Sequence, residues 1–263
     1  MWGAANQVLF DPGKESFHVL HQRLHHGENF KVLGCIFDCQ LLMHAGARHV
    51  ATEAGWRLKA LLRSRQYFTT PELVRLYKAQ ILSFVESSTP ALYHAAPSTL
   101  SRIDRVQTRF LREVGLTELQ ALRNYRLAPL CSRRDMAMLG LLHKVNLKKA
   151  PAQLAVFFPC RGTVNEPLRR QRLRRWRPLH NRQLGTLATD FSSDTMKRSL
   201  FGLVHCYNSL PQRVADSVSV KSFQKGLQMA LLELAEKDSP DWQLLFSGVW
   251  KRFPRTNFDE LFT

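Results

Sequence analysis

Acidic residues are in short supply in this 263-residue chain: 21 Asp and Glu stand against 38 Lys and Arg, for a formal net charge of +17. An excess of this size fits a polyanionic partner, because each neutralised phosphate releases counterions. Nucleic acid is the first expectation, an anionic membrane the second, and a protein merely kept soluble by its charge the third. Cysteines are few, odd in number and scattered, at 35, 39, 131, 160 and 206. That pattern excludes a disulfide framework and fits a reducing compartment, nuclear or cytoplasmic. No run approaches the ~18–20 uninterrupted apolar residues of a membrane span. The start, Met1-Trp2-Gly3-Ala4-Ala5-Asn6, lacks the basic-then-apolar order of a secretory signal and is expected to lie inside a domain. Also missing are a G-x-x-x-x-G-K-[ST] phosphate loop, a G-x-S-x-G nucleophile turn, an Asp-Asp pair and any internal repeat.

Apolar residues nevertheless make up 44% and aromatics 10% of the chain, enough for one or two domains with a real core. The expected fold is α+β, mostly α. Residues 1–45 read as strand and loop: a short strand at 8–10 stopped by Asp11-Pro12-Gly13, then candidates at 17–20 and 32–37 with a loop at 27–29. Two such strands need a sheet or helix to pack on. Residues 46–148 read as a helical bundle. Thr70-Pro71-Glu72 is a start signal, with a hydroxyl cap, an early proline and an acid near the positive helix end. Leu73, Leu76, Tyr77, Gln80, Ile81 and Phe84 follow at helical spacing, and Pro90 limits that helix. Ser98 opens another, with Leu100, Ile103, Gln107, Phe110, Leu111 and Val114 on one face and Gly115 as its stop. A third follows Ser132, through Met136, Leu139, Leu142 and Val145. Residues 149–195, rich in Pro and Arg, read as a linker. Residues 196–263 read as a helical tail, with Phe201, Val204 and Leu210 before Pro211, and a helix opened by Ser219.

The densest charge is Arg169-Arg170-Gln171-Arg172-Leu173-Arg174-Arg175-Trp176-Arg177, six arginines in nine residues. Guanidinium groups pair with phosphates in bidentate fashion and an indole stacks on a base. A nuclear-import signal or a solvated loop has the same composition. A second basic population, Arg57, Lys59, Arg63, Arg65, Arg75, Lys78, Arg102, Arg105, Arg109 and Arg112, falls on the expected helices. His18, His21, His25 and His26 with Cys35 and Cys39 do not have a standard zinc spacing, so core cysteines and surface histidines are expected and no metal site.

Several stretches, taken in order, resemble the downstream part of the reverse transcriptase of non-LTR (LINE-type) retrotransposons. Phe10-Asp11-Pro12-Gly13-Lys14 is similar to the element that closes the palm. Phe30-Lys31-Val32-Leu33-Gly34 is similar to the primer-grip hairpin, in which Phe30, Leu33 and Gly34 match and Lys31 adds charge. Leu73-Val74-Arg75-Leu76-Tyr77-Lys78-Ala79 and Asp104-Arg105-Val106-Gln107-Thr108-Arg109-Phe110-Leu111-Arg112 resemble two thumb helices of the family. Tyr207-Asn208-Ser209-Leu210-Pro211, with Val214 and Ser219-Val220-Lys221-Ser222-Phe223, resembles a frequent tail.

The resemblance implies a palm remnant and hairpin (1–45), a thumb-like bundle (46–148) and a basic, partly irregular C-terminal region. It also implies an RNA-directed DNA polymerase as the complete enzyme, using Mg²⁺ held by aspartates. The fingers and the catalytic hairpin lie before this stretch in the family, so the chain alone is expected to hold no cofactor and to be inactive, and an upstream polymerase half is a candidate partner. Lys14 matches a palm lysine whose role as proton donor then has nothing to act on; an exposed turn lysine is the alternative. The expected ligand is RNA or an RNA–DNA hybrid, gripped by its backbone. The competitors are a helical adaptor for protein contacts and a relic of such an element. Helix arginines that line one face together with the hairpin favour nucleic acid; scattered ones favour the adaptor.

Overall fold

The computed structural model describes residues 18–20, 29–160, 180–186, 193–239 and 241–247. It is mostly helical, with one two-stranded antiparallel sheet among the described residues. The expectations placed on residues 8–14, including Lys14, and on Arg169, Arg170, Arg172, Arg174, Arg175, Trp176 and Arg177 lie outside the described residues.

Residues 32–37 are not one strand. β1 (Phe30–Val32) pairs with β2 (Cys35–Phe37), with Phe30 opposite Phe37 and Val32 opposite Cys35. The connection is Leu33 and Gly34, at φ 49° and 87°. Positive φ at both central residues matches the right-handed twist of the flanking strands. Glycine takes that conformation freely and leucine does so at a cost. Rings brace the base of the hairpin: Phe30 stacks on Phe37 at 5.5 Å and on His18 at 4.4 Å. β2 lies against helix α1 (His44–Arg63) so closely that a Cβ on Gly46 would sit 2.5 Å from the Ile36 carbonyl oxygen. The helix seats on the strand because residue 46 has no side chain.

After α1 and a short 3-10 turn (Arg65–Tyr67), α2 (Thr70–Tyr77) begins on a capping box. The cap is Thr69, one residue earlier than expected; Glu72 reaches back to its backbone N–H at 2.8 Å and its carboxyl is held below the usual range by that bond. A π-helical turn (Lys78–Leu82), α3 (Ser83–Ser87) and α4 (Thr89–Leu92) follow. α5 (Pro97–Val114) stops at Gly115, φ 70°. It runs parallel to α1: Thr99 meets His44 at 2.9 Å near the two starts, and Arg65, just past α1, meets Glu113 in the last turn of α5 at 2.6 Å. α6 (Glu118–Tyr125) lies within the stretch expected to be helical but has no periodicity that singles it out; Thr117 and Gln120 form a capping box before it. α7 (Leu130–Asn146) starts ahead of Ser132. That serine is not a cap; it is buried and donates to the Gln243 carbonyl at 2.6 Å. The C-terminal part holds α8 (Ala152–Ala155), α9 (Asp194–Arg198), α10 (Leu200–Asn208), α11 (Gln212–Ala215) and α12 (Val220–Glu236), the last capped by Ser219 as expected.

Two apolar cores result. The first gathers Val50, Leu58, Tyr77, Ile81, Ile103 and Phe110 from α1 to α5. The second gathers Leu139, Leu142, Tyr207, Phe223, Leu227 and Leu231 from α7, α10 and α12. Each large side chain buried this way contributes about 1.5–3 kcal/mol. α7 joins the cores, with Leu130 in the first and Met136 to Val145 in the second. Arg134 fixes this junction with a fork of bonds to Asp104 of α5, at 2.6 and 2.9 Å. Parts of the expected 149–195 linker also belong to the second core. Phe158, His180 and Leu184 are buried, and Cys160 and Leu184 form an antiparallel bridge, with the Gly185 N–H donating to the Pro159 carbonyl at 2.7 Å.

Candidate nucleic-acid interface

The Asp104-to-Arg112 stretch divides cleanly by helical period. Val106, Gln107, Phe110 and Leu111 are buried, while Arg102, Arg105, Arg109 and Arg112 are exposed. Steps of three, four and three residues place those four arginines in one stripe along α5. The polar members of the motif are anchors. Asp104 takes the Arg134 fork. Gln107 donates to the Ala128 carbonyl at 3.0 Å and accepts from the Tyr77 hydroxyl at 3.4 Å. Tyr77, from the other thumb-like stretch, stacks on Phe110 at 4.2 Å with rings 9° apart. The two stretches thus lock together inside the first core, and the lock sets the rotation of α5 that turns its arginines to solvent.

Other expected basic residues divide into exposed and engaged groups. Lys59, Arg63 and Arg75 are exposed, and Lys31 is exposed on β1. Leu33 stands fully out of the hairpin tip. No atom lies within 4 Å of a Cβ built on Gly34, so that glycine answers to its φ and not to a close neighbour within the chain. Arg57 is off the solvent stripe of α1. It bonds Glu53 at 3.1 Å and the Gln80 carbonyl at 3.2 Å, and its guanidinium lies 4.1 Å over the Phe84 ring. Lys78 is half-buried and donates to the Tyr125 carbonyl; burial, with Arg133 and Arg126 nearby, depresses the pKa of its ammonium. Arg57 and Lys78 thus make contacts that hold the fold, unlike the exposed Lys59, Arg63 and Arg75. Arg65 pairs with Glu113, whose other oxygen is 4.0 Å from Arg112, so one carboxylate sits between two cations at the end of the α5 stripe.

Sequence reasoning missed the outer face of α1. Arg48, Thr52, Trp56, Lys59 and Arg63 follow at four- and three-residue steps, opposite the buried Val50, Ala54 and Leu58. Their spacing was the available signal. Trp56 is 60% exposed and Lys59 Nζ lies 4.3 Å over its ring.

Among the described residues no group of three or more His, Cys, Asp or Glu side chains is placed to hold a metal ion. Cys39 is buried and Cys35 half-buried. No helix of the described residues is long and apolar enough to cross a membrane.

The tail stretch is structural as well. Asn146 Nδ2 donates to the Tyr207 hydroxyl at 2.9 Å, and that hydroxyl faces His143 Nδ1 at 3.1 Å. His143 Nε2 lies 2.8 Å from the Ser217 carbonyl and so carries the ring proton. His180 Nε2 donates to the Tyr207 carbonyl at 3.1 Å. Burial pushes both imidazole pKa values down. Asn208 pairs with the backbone of Leu184 in both directions, at 2.8 and 2.9 Å.

No protein-family model matches the chain, and no match is found among curated proteins or among solved structures.

Proposed function

We propose that this chain is the palm-end, hairpin, thumb and tail portion of a non-LTR retrotransposon reverse transcriptase, and that it binds RNA or an RNA–DNA duplex through the phosphate backbone. The observation that carries the reading is the α5 stripe: Arg102, Arg105, Arg109 and Arg112 exposed together on a helix whose other residues match the family's motif and do the packing. A row of exposed guanidinium groups follows a phosphate backbone and carries little sequence information. The hairpin, with Lys31 exposed and Leu33 projecting, docks on the neighbouring parallel helix α1, as a primer grip beside a thumb would. Nucleotidyl transfer needs a carboxylate pair on Mg²⁺, and this sequence has no Asp-Asp pair. Template-primer, Mg²⁺ and dNTPs added to the chain alone are therefore expected to give no extension, and extension that survives contamination controls would refute this.

The test is affinity for a fluorescent RNA–DNA hybrid from about 50 to 500 mM salt, where counterion release is read directly. The Arg105→Ala/Arg109→Ala double variant binds roughly tenfold more weakly at low salt, and its log–log salt slope falls by about 2. Wild-type affinity that ignores salt, or a double variant that binds as wild type does, refutes the reading and leaves the adaptor.

A further inference from the structure

The two exposed helix faces differ in one respect that bears on the ligand. The α5 stripe holds arginines with Ser98 and Thr108 around them and no aromatic side chain. The α1 stripe interleaves charge with a ring: Arg48, Trp56, Lys59 and Arg63, over about 22 Å at 1.5 Å per residue. It carries no acid, because Glu53 turns to the flank and is held by Arg57. The turn that follows leaves Tyr67 75% exposed and Phe68 40% exposed.

A lone exposed tryptophan is unremarkable on a helix. Here its ring lies beneath an ammonium, in a row of cations with no opposing charge. A large apolar surface in such a row suits a ligand that is both flat and anionic. A nucleotide is that ligand: its base offers a π face to the indole, and its phosphate comes within reach of Lys59 or Arg63. Bases inside a duplex are stacked on each other and present no free face, so the indole selects unpaired strands. An acidic peptide would satisfy the cations but leave the indole without a flat partner.

We infer that the outer face of α1, centred on Trp56 and Lys59, is a stacking platform for single-stranded nucleic acid, separate from the duplex-tracking stripe of α5. This rests on the nucleic-acid reading above and assigns each of the two faces its own strand state.

The experiment measures binding of a fluorescent 12-nucleotide oligo(U) and of an RNA–DNA hybrid of the same length to the wild-type chain and to Trp56→Ala and Trp56→Phe. Trp56→Ala is expected to weaken oligo(U) binding roughly tenfold, the range of one base–aromatic stack, and to leave hybrid binding within about twofold. Trp56→Phe, which keeps a ring, restores most of the loss. The inference is overturned if Trp56→Ala binds oligo(U) as wild type does, if it weakens both ligands equally, or if phenylalanine fails to rescue. A wild-type chain that binds the hybrid but not oligo(U) overturns the platform alone; one that binds neither overturns the nucleic-acid reading with it.

Discussion

In the first core, α5 turns Val106, Gln107 and Phe110 inward and leaves Arg105, Arg109 and Arg112 in solvent. In the second, α7 turns His143 inward against Tyr207 and Phe223, and Asn146 reaches the same hydroxyl. The α5 arginines Arg102, Arg105 and Arg109 stand on the exterior of the first region. The imidazoles of the second, His143 and His180, are buried and bonded within the core. An exposed guanidinium keeps its hydration until a phosphate replaces it, so it can bind. A buried imidazole with both nitrogens bonded has nothing left to offer a ligand, and its removal strands its partners. On the proposed reading, binding falls to the first region and fold maintenance to the second.

The sharpest way to break this contrast is to damage the second core and measure binding at the first. Phe223 is fully buried and stacks on His143 with centroids 4.2 Å apart and planes 4° apart. Phe223→Ala removes the ring and leaves a cavity, at a cost of about 3–5 kcal/mol. Urea unfolding reads the loss. The folded fraction is expected to bind the RNA–DNA hybrid within about twofold of wild type. A large fall in affinity of the folded fraction would show that the second core shapes the binding face, and the division of labour would be wrong.

A second test uses pH at the junction of the regions. Asp135 on α7 is buried and accepts from the Tyr93 hydroxyl at 2.7 Å. Arg134, Asp104 and Cys206 are its charged or titratable neighbours. Burial pushes its carboxyl up to about 7, against the Tyr93 bond and Arg134, which pull it down. The folded state therefore holds a proton that the unfolded chain releases near its ordinary value. The resulting stability is fully present below about pH 4 and is lost as pH rises to about 7. The depressed imidazoles of His143 and His180 act in the opposite sense: their contribution is present above about pH 6.5 and is lost as pH falls below it. Asp135→Asn keeps an acceptor for Tyr93 and removes only the first dependence. Its stability relative to wild type should be near zero at pH 4 and should grow to the order of 4 kcal/mol at pH 8. Unfolding free energies at the two pH values check this; a difference that stays constant would mean Asp135 is ionised in the fold throughout.

How far the sequence disclosed all this depends on the range of the interactions. α5 and α12 were legible because their apolar periodicity, the Gly115 stop and the Ser219 cap are local. α6, inside the stretch read as helical, was not resolved as its own element because eight residues carry little periodicity, although the Thr117–Gln120 box announced it. The hairpin itself was expected from the resemblance at Phe30–Gly34, and the strands pair there; local pattern alone ran residues 32–37 together, because leucine is a poor residue for positive φ and nothing in the sequence marks Leu33 as bearing it. The role of Ser132 was hidden too, since its partner Gln243 lies 111 residues away. The arginines of α5 were visible as a population, and their shared stripe follows from counting. What counting cannot give is which cations the fold itself uses.

Arg57 is the case that tests that distinction at the smallest scale. In sequence it is one of several basic residues on α1, next to Trp56 and near Lys59. In the fold its guanidinium covers Phe84 and bonds Glu53 and the Gln80 carbonyl, whereas Lys59 and Arg63 project from the other side. Arg57→Met keeps an unbranched apolar stem and removes the charge. The loss comprises a cation–π contact of about 0.5–1 kcal/mol and a half-exposed ion pair of about 0.2–1 kcal/mol, so about 1 kcal/mol of stability in all. Hybrid and oligo(U) affinities should stay within about twofold of wild type. Arg105→Ala is its mirror, with stability unchanged within about 0.5 kcal/mol and binding weakened. Arg57→Met lowering affinity as much as Arg105→Ala does would mean that net charge, and not the stripe, governs binding, because the two residues differ in where the fold points them and not in charge.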